Sequence, residues 1–273
     1  MLRALESIGI FAQTEAEAWK NTPASDRLRR HTPGSNWAWV RFTLCPGAPV
    51  YEGWRGLPLA VENGGTGFDQ LHGISNWEHM QTNPETYSIF NLAMRDLAAS
   101  IGPAVAKAYD WGGFAVVADI GGGIGSQLEA ILETNPGTSG VLFDLPDVVA
   151  EAPDHSRIER AGGDFFEAIP VEADVYVLRW VLHDWSDEEC LRVLANVRKA
   201  MGPDARLMIV ESIVPKGPGF DLGKWMDLNM MVMATGKERT VAEFEELLAR
   251  AGFELEVTVP TASPLSILIA KAN

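Results

Sequence analysis

Three features of the chain point to an α/β fold, an open and mostly parallel sheet with a smaller, mainly helical part ahead of it. From residue 114 onward, short apolar runs alternate with amphipathic stretches, the rhythm of strand–helix–strand crossovers. The first of those runs, Val116-Val117-Ala118-Asp119-Ile120, feeds the turn Gly121-Gly122-Gly123-Ile124-Gly125 and then a polar helix start at Ser126. Glycine is needed where the backbone takes positive φ or where a ligand must approach with no Cβ in the way. Asp119, Asp144 and Asp164 each stand at the end of a predicted strand, and that edge of an open sheet is where nucleotides bind.

In chain order, Leu2, Leu5, Ile8 and Phe11 fall at helical spacing and predict a first helix ending near Gly9. Thr22-Pro23-Ala24-Ser25 opens a second, through Leu28 and ending before Thr32-Pro33-Gly34. Together they read as the latter part of a winged-helix unit. Residues 37–62, with Trp37, Trp39, Trp54, Pro46, Pro49 and Pro58, read as helices broken by loops. Past Trp77 and His79, a helix over about residues 84–109 carries the stripe Phe90, Met94, Leu97, Ile101 and Val105. Such a stripe is ordinarily core; its place just before the glycine turn also suits a lid. Strands are expected at 115–120, 140–144, 158–162, 174–179, 205–211, 254–259 and 265–270, with helices between. Ser186 with Glu189, and Thr240 with Glu243, form capping boxes, and Gly252 suits the end of the helix from 241. Pro260–Pro264 leaves no room for a helix, so the last two strands should pair antiparallel. The boundary between the helical part (1–84) and the sheet domain (85–273) is placed at the start of the long helix.

A formal net charge of −15 repels phosphate backbones and anionic lipid, which argues against nucleic acid or membrane as partner and against a DNA-binding winged helix. No apolar run approaches the roughly 18 residues of a membrane span. Cys45 and Cys190 cannot build a disulfide framework, and Glu6 interrupts any signal-peptide core, so a cytoplasmic protein is expected.

The chemistry-bearing residues gather at predicted strand ends. Asp144 follows the glycine turn by about 20 residues, where an acid accepts ribose hydroxyls; a turn cap before Pro146 is an equal alternative. Asp164 can accept an adenine amino group while Phe165 offers the ring an apolar face. His183, in Arg179-Trp180-Val181-Leu182-His183-Asp184-Trp185, lies in a strand-to-helix loop on the same edge. An imidazole titrates near pH ~6.5 and exchanges protons at neutral pH. Glu211 ends the fifth strand and Glu238 sits in a loop entering the next helix. A carboxylate beside imidazole fixes its tautomer and stabilises the charged form, as a general base requires.

The strings D-I-G-G-G-I-G, F-D-L-P, G-G-D-F-F, R-W-V-L-H-D-W-S-D-E-E-C, V-E-S-I-V-P and G-K-E-R-T resemble, in order and spacing, the caffeate/hydroxyindole-type class I O-methyltransferases. The likeness covers residues 85–273 strongly and the first 80 more loosely. It implies a Rossmann-like seven-stranded sheet with the last strand antiparallel, and transfer of a methyl from S-adenosylmethionine, leaving S-adenosylhomocysteine, to a hydroxyl of an aromatic small molecule. Carried over by position, Asp119, Gly121, Gly123, Asp144, Leu145, Asp164, Phe165 and Arg179 would contact the cofactor. His183 would be the base, flanked by Glu211 and Glu238, with no metal required. Trp77, Phe90, Met94, Asp184, Asn229 and Met233 would line the acceptor pocket. With Met226 and Met230 nearby, that pocket would be broad and apolar, because methionine adapts to irregular shapes.

Members of this group usually begin with a helical dimerisation arm that this chain lacks, which puts the family's homodimer in doubt. Two rivals are weighed against the methyltransferase reading. A homologue on the same scaffold could perform hydroxylation or decarboxylation, against which the set His183, Glu211 and Glu238 argues. A nicotinamide dehydrogenase would need its third glycine at position 126, which is Ser.

Overall fold

The apolar runs of the last two thirds pair into one sheet. The computed structural model describes residues 1–32 and 34–273, Ser100 through its backbone alone. A small antiparallel ribbon of β1 (Phe11–Gln13) and β2 (Trp19–Asn21) comes first. Then follow β3 (Val116–Ile120), β4 (Ser139–Asp144), β5 (Ile158–Gly162), β6 (Val175–Arg179), β7 (Arg206–Ser212), β8 (Phe253–Pro260) and β9 (Leu265–Ala272). Among the described residues these seven form a sheet in the order β5-β4-β3-β6-β7-β9-β8, with β9 antiparallel to both neighbours and the other pairings parallel.

The central strands are buried along nearly their whole length because helices cover both faces. Successive residues point to opposite sides. Ala118, Tyr176, Leu178, Leu207 and Ile209 pack with Val193, Leu194 and Val197 of helix Asp187–Ala200, and with Phe244 and Leu248 of helix Val241–Arg250. Val117, Val175, Val177 and Met208 face Ile101 and Val105 of helix Pro84–Ala108, and Leu128 and Ile131 of helix Ser126–Thr134. Both capping boxes form as the spacing predicts. Gly252 takes φ +80° just past the helix it follows.

A third cluster joins the two parts of the chain. Ala38, Phe42, Val50, Phe68 and Met80 pack with Ala93 of the long helix and with Val232 and Met233 of helix Leu222–Met233. The N-terminal helices thereby lie against loops at the carboxyl ends of the strands, where Trp77 stacks on Trp185 with centroids 5.8 Å apart. Among the described residues no helix is long and apolar enough to cross a membrane.

The first helix is shorter than its apolar spacing predicts. It spans Leu2–Ser7 and buries none of its residues, so nothing propagates it, and Gly9 at φ +77° turns the chain into β1. Phe11 is therefore a strand residue, paired opposite Asn21. The second helix, Pro23–Asp26, also stops short of Leu28; the expected turn at Pro33 lies outside the described residues. Within the helical part, Gly56 and Gly67 bring two backbones together, and a Cβ built at 56 would stand 2.0 Å from the Gly67 carbonyl oxygen. Gly56→Ala should destabilise the protein by about 1–3 kcal/mol through overpacking. A urea midpoint identical to that of the unchanged protein would contradict the close approach.

Candidate active site

The turn after β3 is shaped by backbone. Gly121, Gly123 and Gly125 take φ of +68°, +61° and +90°, a region other residues enter at a steric cost. Gly121 also leaves no room, since a Cβ there would lie 3.0 Å from Val181 Cγ2 and 3.4 Å from the Phe165 ring. At Gly122 a Cβ would meet Asp119 Cγ at 2.6 Å, so the turn folds directly over that carboxylate. Asp144 Oδ2 accepts the Gly123 amide at 2.8 Å and Oδ1 the Leu145 amide at 2.7 Å. Asp144 thus caps the turn, and lone pairs remain on both oxygens for a diol. Leu145 is 40% exposed, and Asp164 Oδ1 accepts the Phe166 amide at 2.8 Å.

Beneath this turn, buried atoms of two charged side chains lack hydrogen bonds. Neither oxygen of Asp119 has a partner among the described residues, and nor has Nη1 of Arg179. The Leu128 amide is near enough to favour charged Asp119 without reaching hydrogen-bonding geometry. Burial pushes Asp119 up to about 6, with the Arg179 charge opposing it. Unpartnered buried charges are costly, and a zwitterionic ligand would satisfy an acid and a guanidinium together.

On the far side of Arg179 stands the histidine. Trp180 follows at φ +51°, a strained conformation for a bulky residue, and its ring stacks parallel to that of His183 at 6.2 Å. His183 Nδ1 lies 2.7 Å from Glu238 Oε1 and 3.8 Å from Glu211 Oε2. Glu211 is occupied chiefly with backbone: its Oε1 takes the amides of Val181, Leu182 and His183 at 3.1, 3.0 and 3.4 Å. With Glu238 accepting, Nδ1 carries the ring proton, which leaves Nε2 as the nitrogen that can take another. Nε2 is 3.7 Å from Asp184 Oδ1, beyond hydrogen-bond reach. Burial opposes charge on the ring, but the Glu211, Asp184 and Glu238 carboxylates outweigh it and push the imidazole up to about 10. Burial likewise raises Asp184 to about 6. Ligand atoms of His183, Glu211 and Glu238 lie within 4.8 Å of one another, close enough to hold a cation.

The residues carried over for the acceptor lie where the helical part meets the sheet domain. Phe90 packs edge-on against Trp77 at 5.9 Å, and Trp77 continues onto Trp185. Met94 joins the same apolar cluster. Asn229 Oδ1 accepts the Trp54 indole N–H at 3.0 Å, which fixes the amide's orientation because an indole only donates. Met233 is buried, its Sδ 2.3 Å from where a Gly53 Cβ would stand. The packing of Trp180 on His183 was open to sequence reasoning, which passed over three participants: Trp54, Gly236 and Arg239. A Cβ on Gly236 would lie 2.0 Å from the His183 carbonyl oxygen, and buried Arg239 bonds to the carbonyls of Leu182 and Trp185. Gly236 and Arg239 stand beside Glu238 in Gly236-Lys237-Glu238-Arg239-Thr240, the one signal that pointed to them.

Comparison with known proteins shows the family. Phenazine O-methyltransferase PhzM of Lysobacter antibioticus is 39% identical over 279 residues, covering 99% of this chain and 81% of the relative. A crystal structure of LaPhzM, 39% identical, superposes with a TM-score of 0.94 over 100% of this chain and 83% of that one. The neocarzinostatin-biosynthesis O-methyltransferase NcsB1 was solved with S-adenosylmethionine and 2-hydroxy-5-methyl naphthoic acid. It is 28% identical, with a TM-score of 0.83 over 100% of this chain and 83% of that chain. Residues 54–254 match the O-methyltransferase domain family, and to that family the chain belongs.

Proposed function

We propose that this protein transfers the methyl group of S-adenosylmethionine to a hydroxyl of a flat aromatic small molecule, with His183 as a metal-independent general base. The observation that carries the reading is the 2.7 Å contact of His183 Nδ1 with buried Glu238, which leaves Nε2 for the acceptor's proton. The glycine turn, Asp119, Asp144, Leu145, Asp164, Phe165 and Arg179 would hold the cofactor. The orphaned Asp119 and Arg179 atoms suit its amino and carboxylate groups, and the two backbone-anchored oxygens of Asp144 suit its ribose. When bound, S-adenosylmethionine supplies a strongly electrophilic methyl carbon.

The chain's own contribution is orientation and a better nucleophile. A phenol loses its proton near pH 10, and a base of similar strength makes that transfer nearly thermoneutral. The carboxylates around His183 raise the ring towards that range. Glu238 holds the ring by Nδ1, while Glu211 holds the backbone that carries it. Trp77, Phe90 and Met94 offer apolar surface to a flat ring; Asp184 and the amide of Asn229, whose Nδ2 also donates to Met226 Sδ at 3.8 Å, offer polar contacts at its rim.

A mass-spectrometric screen of phenolic acceptors with isotopically labelled S-adenosylmethionine tests the reading, gain of the labelled methyl being the expected product. Oxidation or loss of carbon dioxide would favour the rival chemistries. In that assay His183→Asn should lose about 10²–10⁴ in turnover while S-adenosylhomocysteine affinity by calorimetry stays within about twofold. Equal loss of both would make the histidine structural. Since the carboxylates raise the imidazole, the rate should climb with pH as the ring sheds its proton, along a limb above the ordinary imidazole range. Glu238→Gln removes a negative charge, so that limb should move to lower pH; an unmoved limb would detach it from His183. Exhaustive chelation should leave turnover unchanged, and a chelator-sensitive rate restored by a divalent ion would place a metal in the donor cluster instead.

A further inference from the structure

The loop that carries His183 is gripped from two sides, and one side has no role in the chemistry described so far. Glu211 Oε1 takes the amides of Val181, Leu182 and His183. The carbonyls are held by Arg239, whose side chain is fully buried. Its Nη1 donates to the Leu182 carbonyl at 2.9 Å and its Nη2 to the Trp185 carbonyl at 3.1 Å, bracketing His183. Nη2 and Nε also reach Asp187 Oδ1, at 2.8 and 3.1 Å, in the first turn of the helix that follows. The backbone of Arg239 is fixed as well: it bridges to Ile213 beyond β7, and its carbonyl accepts the Val214 amide at 3.0 Å.

We propose that Arg239 is a positioning residue for methyl transfer, its guanidinium setting the place of the His183 loop relative to the neighbouring Glu238. The inference rests on the role of His183 argued above. Arg239 follows Glu238 directly in the chain, so one anchor fixes both partners of the 2.7 Å contact: Glu238 through the backbone and His183 through the carbonyls on either side. Gly236 lets the two loops meet without a side chain between them. Only a planar fork with several rigid donors can span two carbonyls and a carboxylate at once; a lysine ammonium is a single point on a flexible stem. Arg239 acts on the reaction through the loop.

Two variants and three readouts test this. Arg239→Lys keeps the charge but cannot span the carbonyls, and kcat should fall by about tenfold to hundredfold, the cost of misplacing a catalytic group by about an ångström. S-Adenosylhomocysteine affinity should remain within about twofold, because the glycine turn is untouched. The pH limb of kcat should shift downward as the ring draws away from Glu238. Asp187→Ala removes one anchor of the guanidinium while leaving Ser186 to cap the helix, and should produce the same changes to a smaller degree. If Arg239→Lys does not fold, Asp187→Ala decides alone. Unchanged kcat and pH limb per folded active site, in whichever variant folds, would reduce Arg239 to structural support and overturn the proposal. Full turnover in His183→Asn would instead overturn the assignment beneath it.

Discussion

One imidazole buried among carboxylates governs the rest of this structure. Taking charges out of water costs several kcal/mol per ion, and attraction within a cluster repays it only where the geometry is tight. At His183 that geometry consists of a 2.7 Å contact to Glu238 and a Glu211 carboxylate committed to three amides. Oε2 of each glutamate stays buried without a hydrogen-bond partner, so the cluster favours the charged imidazole, and the ring must shed its Nε2 proton before it can act as a base. Burial and neighbouring negative charge raise Glu211 as well. Under the proposed function, a proton passing from a bound acceptor to the neutral ring would enter a site already arranged to stabilise it, with little solvent reorganisation at the moment of transfer.

Sheet order makes this cluster possible. β6 and β7 are parallel neighbours with Arg179 beside Val210, so the loop after β6 and Glu211 at the end of β7 meet as soon as the sheet forms. Glu238 arrives differently. After helix Leu222–Met233 the chain returns to β7 through the Ile213–Arg239 bridge, and Asp227 on that helix accepts the Glu238 amide at 3.0 Å. The same helix is embedded among the N-terminal helices through Val232 and Met233. One element thus ties the acidic cluster to the apolar layer above it.

The sheet was largely legible because strands buried on both faces must be continuous apolar runs, and glycine and capping residues punctuate them. Predicted and observed ends differ by at most a residue or two, as between 140–144 and Ser139–Asp144. The ribbon at Phe11 was not legible, because four apolar residues at helical spacing say nothing about whether a surface exists to bury them. Within the site, acids at strand ends could be found because strand ends are local features. Arg239 and Trp54 were opaque for the opposite reason. Their partners lie 57 and 175 residues away, and for Arg239 they are mostly backbone carbonyls, which leave no mark in the residue alphabet. The strain at Trp180 was hidden too, since nothing in its neighbours demands positive φ; the backbone is forced there where Glu211 gathers the following amides.

The two halves of the site use different materials, which bears on what each can vary. The glycine turn is built of backbone conformation, and of close approaches at Gly121, Gly122 and Gly125 that a side chain would obstruct, so it tolerates little change. The side proposed for the acceptor is built of aromatic side chains, running from Phe42 through Phe90 and Trp77 to Trp185 and on to Phe166. Phe42, Trp77 and Phe90 stand on helices outside the sheet, so side-chain surface there can be resized without disturbing the strands, whereas Trp185 and Phe166 stand on loops at the strand ends. Trp185 belongs to both halves, touching Phe165 at 6.2 Å beside the glycine turn and stacking on Trp77 above. Under the proposed function the glycine turn would hold the cofactor constant while the aromatic side chose the acceptor, with His183 and its carboxylates at the seam.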